Sequence, residues 1–219
     1  MSLPSSPKLV KGGLVVLDAA SGAVKRIIAL QYNPDSLTRS YQVQGAGGDG
    51  GAERAQPFRL KGPAIETIKV EAEIDATDAL EQPDQNANAV QFGITPQLAV
   101  LEGLINPTSA DLLAHNALAQ TGTLEIVPPA APLVLFVWSA SRVVPVRVTE
   151  FAVTEEAFDP ALNPMRAKIN LGLRVMSTDD LGFDNRGGGI FINHLRTREA
   201  LAGKIGAASL QSLGLSSLP

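Results

Sequence analysis

The sequence predicts a mostly β chain of the α+β class: a sheet with one packed helix, followed by a C-terminal helical extension. Three observations carry this. "ETIKVEAEID" and "RAKINLGLRV" alternate strictly between apolar and polar residues, the two-residue period of a half-buried strand. Between them lies a run at helical spacing with a proline near its start, where proline's fixed φ suits a first turn. Beyond "DDLGFDNRGGG" the apolar period lengthens to that of a helix.

Taken in order, the chain opens with a β-hairpin: Leu14 to Leu17, a turn around Ala20, Ser21 and Gly22, and a return strand from Val24 to Tyr32. Asn33-Pro34-Asp35 ends it, because proline lacks a ladder donor and Asx side chains close turns. "GAGGDGGAERAQP" has no apolar period and reads as a loop. In the first alternating strand Ile68, Val70, Ala72 and Ile74 share a dry face, and Thr67, Lys69, Glu71, Glu73 and Asp75 the wet one. One helix is expected from Asn88 to Ile105, with Pro96 near its first turn and Leu98, Leu101, Leu104 and Ile105 packing across the sheet.

After a polar connection, "TLEIVP", "LVLFVWSA", "VVPVRVTEFAV" and "TEEAFDPALNPMRAKINLGLRVMS" read as strands spaced like a meander or barrel. In the last, Ala167, Ile169, Leu171, Leu173 and Val175 alternate with Arg166, Lys168, Asn170, Gly172 and Arg174. A one-residue slip would bury two arginines, so the register is strongly set. Glu155 and Glu156 are expected on opposite faces, and Phe158 is expected to plug into the core. Residues 1–180 form the β domain in this reading. Residues 181–219 form a glycine linker at Gly187 to Gly189, a helix whose stripe is Ile190, His194, Leu195, Leu201 and Ile205, and a tail.

Composition removes several function classes. At 219 residues, with 45% hydrophobic residues and a mean hydropathy of +0.11, the chain can bury a sizeable core. A net charge of −4 and no basic run longer than two residues do not suit a nucleic-acid binder, which must neutralise phosphates. There is no cysteine, hence no disulfide scaffold and no thiolate chemistry. The start lacks a secretory apolar core, and the most apolar window, from Val127, is too short and proline-broken to span a bilayer. A cytoplasmic location without membrane insertion is therefore expected.

No motif supports catalysis. "GAGGDG" fits the dinucleotide glycine pattern, but no helical stripe follows it. His115 and His194 have no neighbouring ligand residues. Asp179, Asp180, Asp184 and Asn185 lack the spacing of a calcium loop. Glu155, Glu156 and Asp159 could form an acid cluster only if one carboxyl were held neutral in an apolar pocket, which adjacent strand residues do not provide. A non-enzymatic protein without cofactor or metal is expected.

"IALQYNPDSLTRSY", residues 28–41, and "VPVRVTEFAVTEEAFDPALNPMRAKINLGLRVMS", residues 144–177, resemble the N-terminal tube-like domain of the LysM-containing baseplate proteins of contractile, phage tail-like injection systems. The resemblance covers roughly residues 8–178. It implies a split β-barrel related to the inner-tube protein, assembled as a homo-hexameric ring that joins the spike hub to the inner tube. Tyr32, Asn33 and Pro34 match the first turn of that family, and Phe158, Asp159, Pro160, Asn163, Pro164 and Arg166 the second. Implied partners are an inner-tube or tube-initiator ring, the spike hub and, as a further candidate, a baseplate wedge, inside an assembled particle that is made in the cytoplasm and open to release. Relatives commonly continue into a LysM module. Here one helix and a tail stand in its place, and Ile190, Leu195, Leu201 and Ile205 are expected to dock on a neighbour. The alternative functions are a small β-barrel module that binds a ligand or peptide, and a hydrolase.

Overall fold

The computed structural model describes residues 10–18, 21–45, 60–121, 131–206 and 208–217. Seven strands, β1 (Gly13–Leu17), β2 (Val24–Ala29), β3 (Leu37–Gln42), β4 (Ile65–Asp75), β5 (Leu133–Ser139), β6 (Arg142–Phe158) and β7 (Pro164–Val175), form one sheet in the order β2-β1-β5-β6-β7-β4-β3. Every pairing is antiparallel. Six α-helices accompany it among the described residues: α1 (Thr77–Leu80), α2 (Ala87–Phe92), α3 (Thr95–Glu102), α4 (Ser109–Gln120), α5 (Thr178–Leu181) and α6 (Arg186–Ala202). The expected strand "TLEIVP" and nearly all of the glycine-rich loop lie outside the described residues. Among those described, no helix is long and apolar enough to cross a membrane.

The alternation read in β4 and β7 is the core. Ile68, Val70 and Ala72 of β4 and Ala167, Ile169, Leu171, Leu173 and Val175 of β7 are buried together with Val144 and Val146 of β6. A β-bulge between Val148 and Glu150 adds one residue to β6, so its core-facing set changes from Val144, Val146 and Val148 to Phe151 and Val153. Thr149 Oγ1 donates to the Gly172 carbonyl there at 3.2 Å.

The sheet curls. β2 and β4 are five positions apart, roughly 24 Å across a flat sheet. Yet Gln31, two residues beyond β2, donates through Nε2 to the Asp75 carbonyl of β4 at 2.8 Å and accepts from the Asp75 N–H at 2.9 Å. Chain and side-chain lengths limit that span to roughly 15 Å. β2 and β3 remain the edges, each with one neighbour among the described strands.

Five expectations change. The single helix from Asn88 to Ile105 is two, α2 and α3, broken at Gly93, whose φ is +56°. The Ile94 N–H donates to the Pro164 carbonyl at 2.9 Å, and a Cβ on Gly93 would meet that same oxygen. The break is the cost of tying the helices to the start of β7. The "polar connection" contains α4, opened by a capping box between Thr108 and Asp111. None of its residues is buried, and its leucines therefore give no inward stripe.

Phe158 is 52% exposed, not a core plug. With Phe151 and Val153 facing inward, the two-residue period puts Thr154, Glu156 and Phe158 on the outer face, and the observed pairs Glu156 with Arg166 and Phe158 with Pro164 agree. Glu155 and Glu156 do diverge, opposite Ala167 and Arg166.

The glycines are not a linker. Gly187 to Gly189 form the first turn of α6, capped by the Asn185 side chain, which accepts from the Gly187 N–H at 2.8 Å. A Cβ on Gly188 would lie on the Gly182 carbonyl oxygen, whereas Gly189 faces open space. Small residues here let α6 pack closely. Its Phe191 is 5% exposed and belongs to the core, with Leu195 packed against it, and Arg186 donates from its guanidinium to the Gly22 carbonyl of the β1–β2 turn. The expected docking of α6 on another molecule is corrected for its first half, where Ile190 and Leu195 are half-buried and His194 is buried in this chain. Leu201 and Ile205 stay exposed.

Two predictions follow from this packing. Phe191→Ala should lower the unfolding free energy by about 3–5 kcal/mol through lost transfer and a cavity, while Phe158→Ala should leave it within about 1 kcal/mol; urea titration of both variants measures the difference. Gly188→Ala should destabilise by about 1–3 kcal/mol through overpacking, and Gly189→Ala should stabilise by up to about 1 kcal/mol through helix propensity, read by thermal unfolding.

Candidate interaction surface at the Asn-Pro end of the sheet

Each Asn-Pro turn is fastened by its own polar side chains. Asn33 accepts through Oδ1 from the Gly12 N–H and donates through Nδ2 to the Val10 carbonyl, both at 2.9 Å. Its amide so extends the β1–β2 ladder by one step past Leu30, whose N–H donates to the Gly12 carbonyl at 2.9 Å. Pro34, half-buried beside it, presets the backbone that leaves for β3. Tyr32 is exposed, and its hydroxyl donates to Asp78 Oδ2 at 3.3 Å. Partial desolvation, together with the Asp78 and Asp75 charges, pushes the phenol above its usual pKa.

The second turn is built on Asp159. Its Oδ1 accepts from the N–H groups of Ala161 and Asn163 at 2.7 and 2.8 Å, and its Oδ2 accepts from Asn163 Nδ2 at 2.8 Å. The Asn163 side chain and N–H hold this carboxyl below the usual carboxylate range. Asn163 Nδ2 also donates to the Gln91 carbonyl at 3.2 Å, tying the turn to α2. Leu162 adopts φ +64° and Ala157 φ +54°, left-handed backbone that favours glycine; the Asp159 bonds on either side of Leu162 compensate. Leu162 is 77% exposed. Pro160 is exposed, while Pro164 is buried at the start of β7.

The two turns meet at Asp75. Arg166 Nε donates to Asp75 Oδ2 at 2.8 Å and lies 3.7 Å from Glu73 Oε1. The Thr77 hydroxyl and N–H bond the other oxygen, and Gln31 holds the Asp75 backbone. Thr77's hydrogen bonds and then Arg166 keep the Asp75 carboxyl below its ordinary value, against the opposing effect of burial. One end of the sheet therefore gathers Tyr32, Asn33, Pro34, Phe158, Asp159, Pro160, Asn163, Pro164 and Arg166 on a braced frame. Exposed Phe158, Leu162 and Tyr32 project from it. The arrangement offers rigid shape and apolar contact, not acid–base chemistry: Glu156 faces Lys168 at 3.4 Å, and both Asp75 and Asp159 are held as carboxylates.

The tail residues Ile190, Leu195, Leu201 and Ile205 lie on α6 or just beyond it and take no part in the hydrogen bonds of this end. Sequence reasoning missed Gln31 and Asp75, the residues that join the turns. Asp75 carried one signal, as the last polar residue of an alternating strand with Thr77 two residues on. Asp180 accepts from Arg174 Nη2 at 2.7 Å and caps α5 through the Ser177 N–H at 3.0 Å. It is structural.

Depressed carboxyl pKa values fix a pH dependence. Stability contributed by Asp75 and Asp159 is fully present above their unfolded value, about 3.9, and is lost as pH falls through their lower native values. The unfolding free energy should fall between about pH 4 and pH 2, with a shallower slope in Asp75→Asn and Asp159→Asn; urea titrations across that range measure it. No family model and no curated protein matches the chain.

Proposed function

We propose that this chain is a structural baseplate component of a contractile injection system, which forms a six-fold ring joining the spike hub to the inner tube. The carrying observation is that the two turns on which the family resemblance rests, distant in sequence, converge on one end of a single curled sheet. There they share Asp75 through Gln31 and Arg166. A braced end with exposed Phe158, Leu162 and Tyr32 suits repeatable contacts between rings. The curled sheet, whose edge strands β2 and β3 each have one neighbour among the described strands, suits a split barrel closed by neighbouring copies, since an open edge presents free backbone donors and acceptors that another strand can take. Val24 and Ile27 on β2 are exposed, as an edge awaiting a partner would be. In this reading the chain has no enzymatic role and assembles in the cytoplasm with an inner-tube or tube-initiator ring, the spike hub and a wedge protein.

A second reading, a binding module, draws on a groove of about 770 Å3 between the β1–β2 hairpin and the α3–α4 region, lined by Lys25, Arg26, Val100, Leu104 and Asp111. Its mixed lining gives no convergent polar set for one small ligand, and the ring remains the better supported.

Co-expression with the tube and hub proteins of a contractile injection system, followed by negative-stain microscopy, tests the ring. Six-fold rings are expected. The paired change Phe158→Ala and Leu162→Ala should leave a folded monomer that no longer enters the particle. Assemblies of two-fold or three-fold symmetry, or normal incorporation of the double variant, would overturn this assignment.

A further inference from the structure

At the opposite end of β4 from Asp75, four elements each place a polar residue in phase with the core. On β3, Arg39 and Tyr41 pair with Ile68 and Glu66 of β4, and Glu66 shares the inward face of Ile68 and Val70. On β6, Arg142 precedes buried Val144 and Val146 by the same two-residue step. On α6, His194 and Arg198 are four residues apart and so on one face. Glu66 and His194 are each 5% exposed.

The cluster is unevenly charged. Glu66 accepts from Arg39 Nε at 2.6 Å, and its other oxygen lies 4.0 Å from Arg198 Nη1. Arg39 and Arg198 both stand over the Tyr41 ring, at 5.2 and 5.6 Å from its centroid, a cation–π arrangement that fixes their positions. Half-buried Arg142 forms no ion pair or hydrogen bond among the described residues, and neither ring nitrogen of His194 has a hydrogen-bond partner there. Two guanidinium groups thus flank one carboxylate, and a third, that of Arg142, lies within reach of its charge. Burying a cation that Glu66 compensates only in part, beside an unsatisfied imidazole, is costly unless an anion completes the set. Burial, with Arg39 and Arg198, pushes the Arg142 pKa down, and burial with the surrounding arginines lowers that of His194. The site favours added negative charge.

We propose that Arg142, Arg198 and His194 form a binding site for one compact oxyanion, a carboxylate or a phosphate, on the rim between the core and α6. Arginine's planar fork matches both chemistries bidentately, and a neutral imidazole supplies one further N–H donor. An overall charge of −4 and a cluster confined to a few side chains fit a single anionic group rather than a polyanion. Two sources share this chemistry: free phosphate, and an acidic side chain supplied by another protein. The inference does not rest on the ring assignment.

The test uses the full chain alone. Phosphate and, separately, N-acetylglutamate are titrated at ionic strength held constant with sodium chloride, following the melting temperature and the histidine ring signals in long-range 1H–15N spectra, assigned with His115→Gln. A saturable rise of about 2–4 °C is expected once the anion exceeds its Kd about five-fold, with a shift in the His194 signals alone. Arg142→Gln should abolish both responses, and so should Arg198→Gln, while exposed Arg26→Gln should preserve them. Response to phosphate alone identifies a free-anion site, and a stronger response to N-acetylglutamate a docking point for a protein carboxylate; either supports the proposal. Responses equal to those in chloride, or retained in Arg142→Gln with a wild-type melting profile in chloride, would overturn it.

Discussion

The long antiparallel pairing of β6 with β7 is the constraint on which the rest depends. It runs from Val146 with Val175 to Phe158 with Pro164, and β7 supplies five buried apolar residues from alternate positions. Because the side-chain period of a strand is two, this pairing decides at once which residues of β6 are dry, where the second Asn-Pro turn projects, and which face α6 covers. The bulge near Thr149 is part of the same constraint. Without it Glu150 and Ala152, not Phe151 and Val153, would face the core, and Phe158 would turn inward.

Around this pair, polar groups close the structure where apolar packing cannot. A curled seven-stranded sheet leaves two edges and several strand ends with unsatisfied backbone groups. Asn33 extends one ladder by imitating a peptide unit, Gln31 does the same against Asp75, and Asp159 satisfies the N–H groups of its own turn. Each side-chain amide or carboxylate replaces a strand partner that the curled geometry does not provide. Asp75 and Arg166 then lock the two turns together, and the apolar residues that project there, Phe158 and Leu162, are carried by a frame with little freedom. Rigidity of this kind lowers the entropy lost when a surface is ordered against another molecule.

The opposite rim follows a different logic. Glu66, Arg39 and Arg142 occupy positions that strand alternation reserves for apolar side chains, and α6 lowers His194 and Arg198 onto them. Charges in core phase are expensive, so their accumulation at one rim contrasts with the satisfied networks at the other. The proposed ring function draws on the Asn-Pro end and the proposed oxyanion site on this rim. The two claims stand on separate residues of β4, Asp75 and Glu66, at its two ends.

The sequence by itself determined the periods and the punctuation. The dry face of β4, the alternation of β7, the β1–β2 hairpin, the turns at Asn33-Pro34 and Asn163-Pro164, and the first turn of α3 at Pro96 were legible because propensity, alternation and proline geometry act over a few residues. What only the tertiary structure decided depends on partners far along the chain. Gly93 breaks a helix because Pro164 lies beside it, and Gly187 and Gly188 open α6 where Leu181, Leu133 and Gly182 leave no room for a Cβ. Phe158 faces outward because a bulge nine residues earlier changes the register. Arg39, Glu66, Arg142 and His194 form a cluster only because the sheet curls beneath α6, a closeness of distant residues that no local pattern encodes.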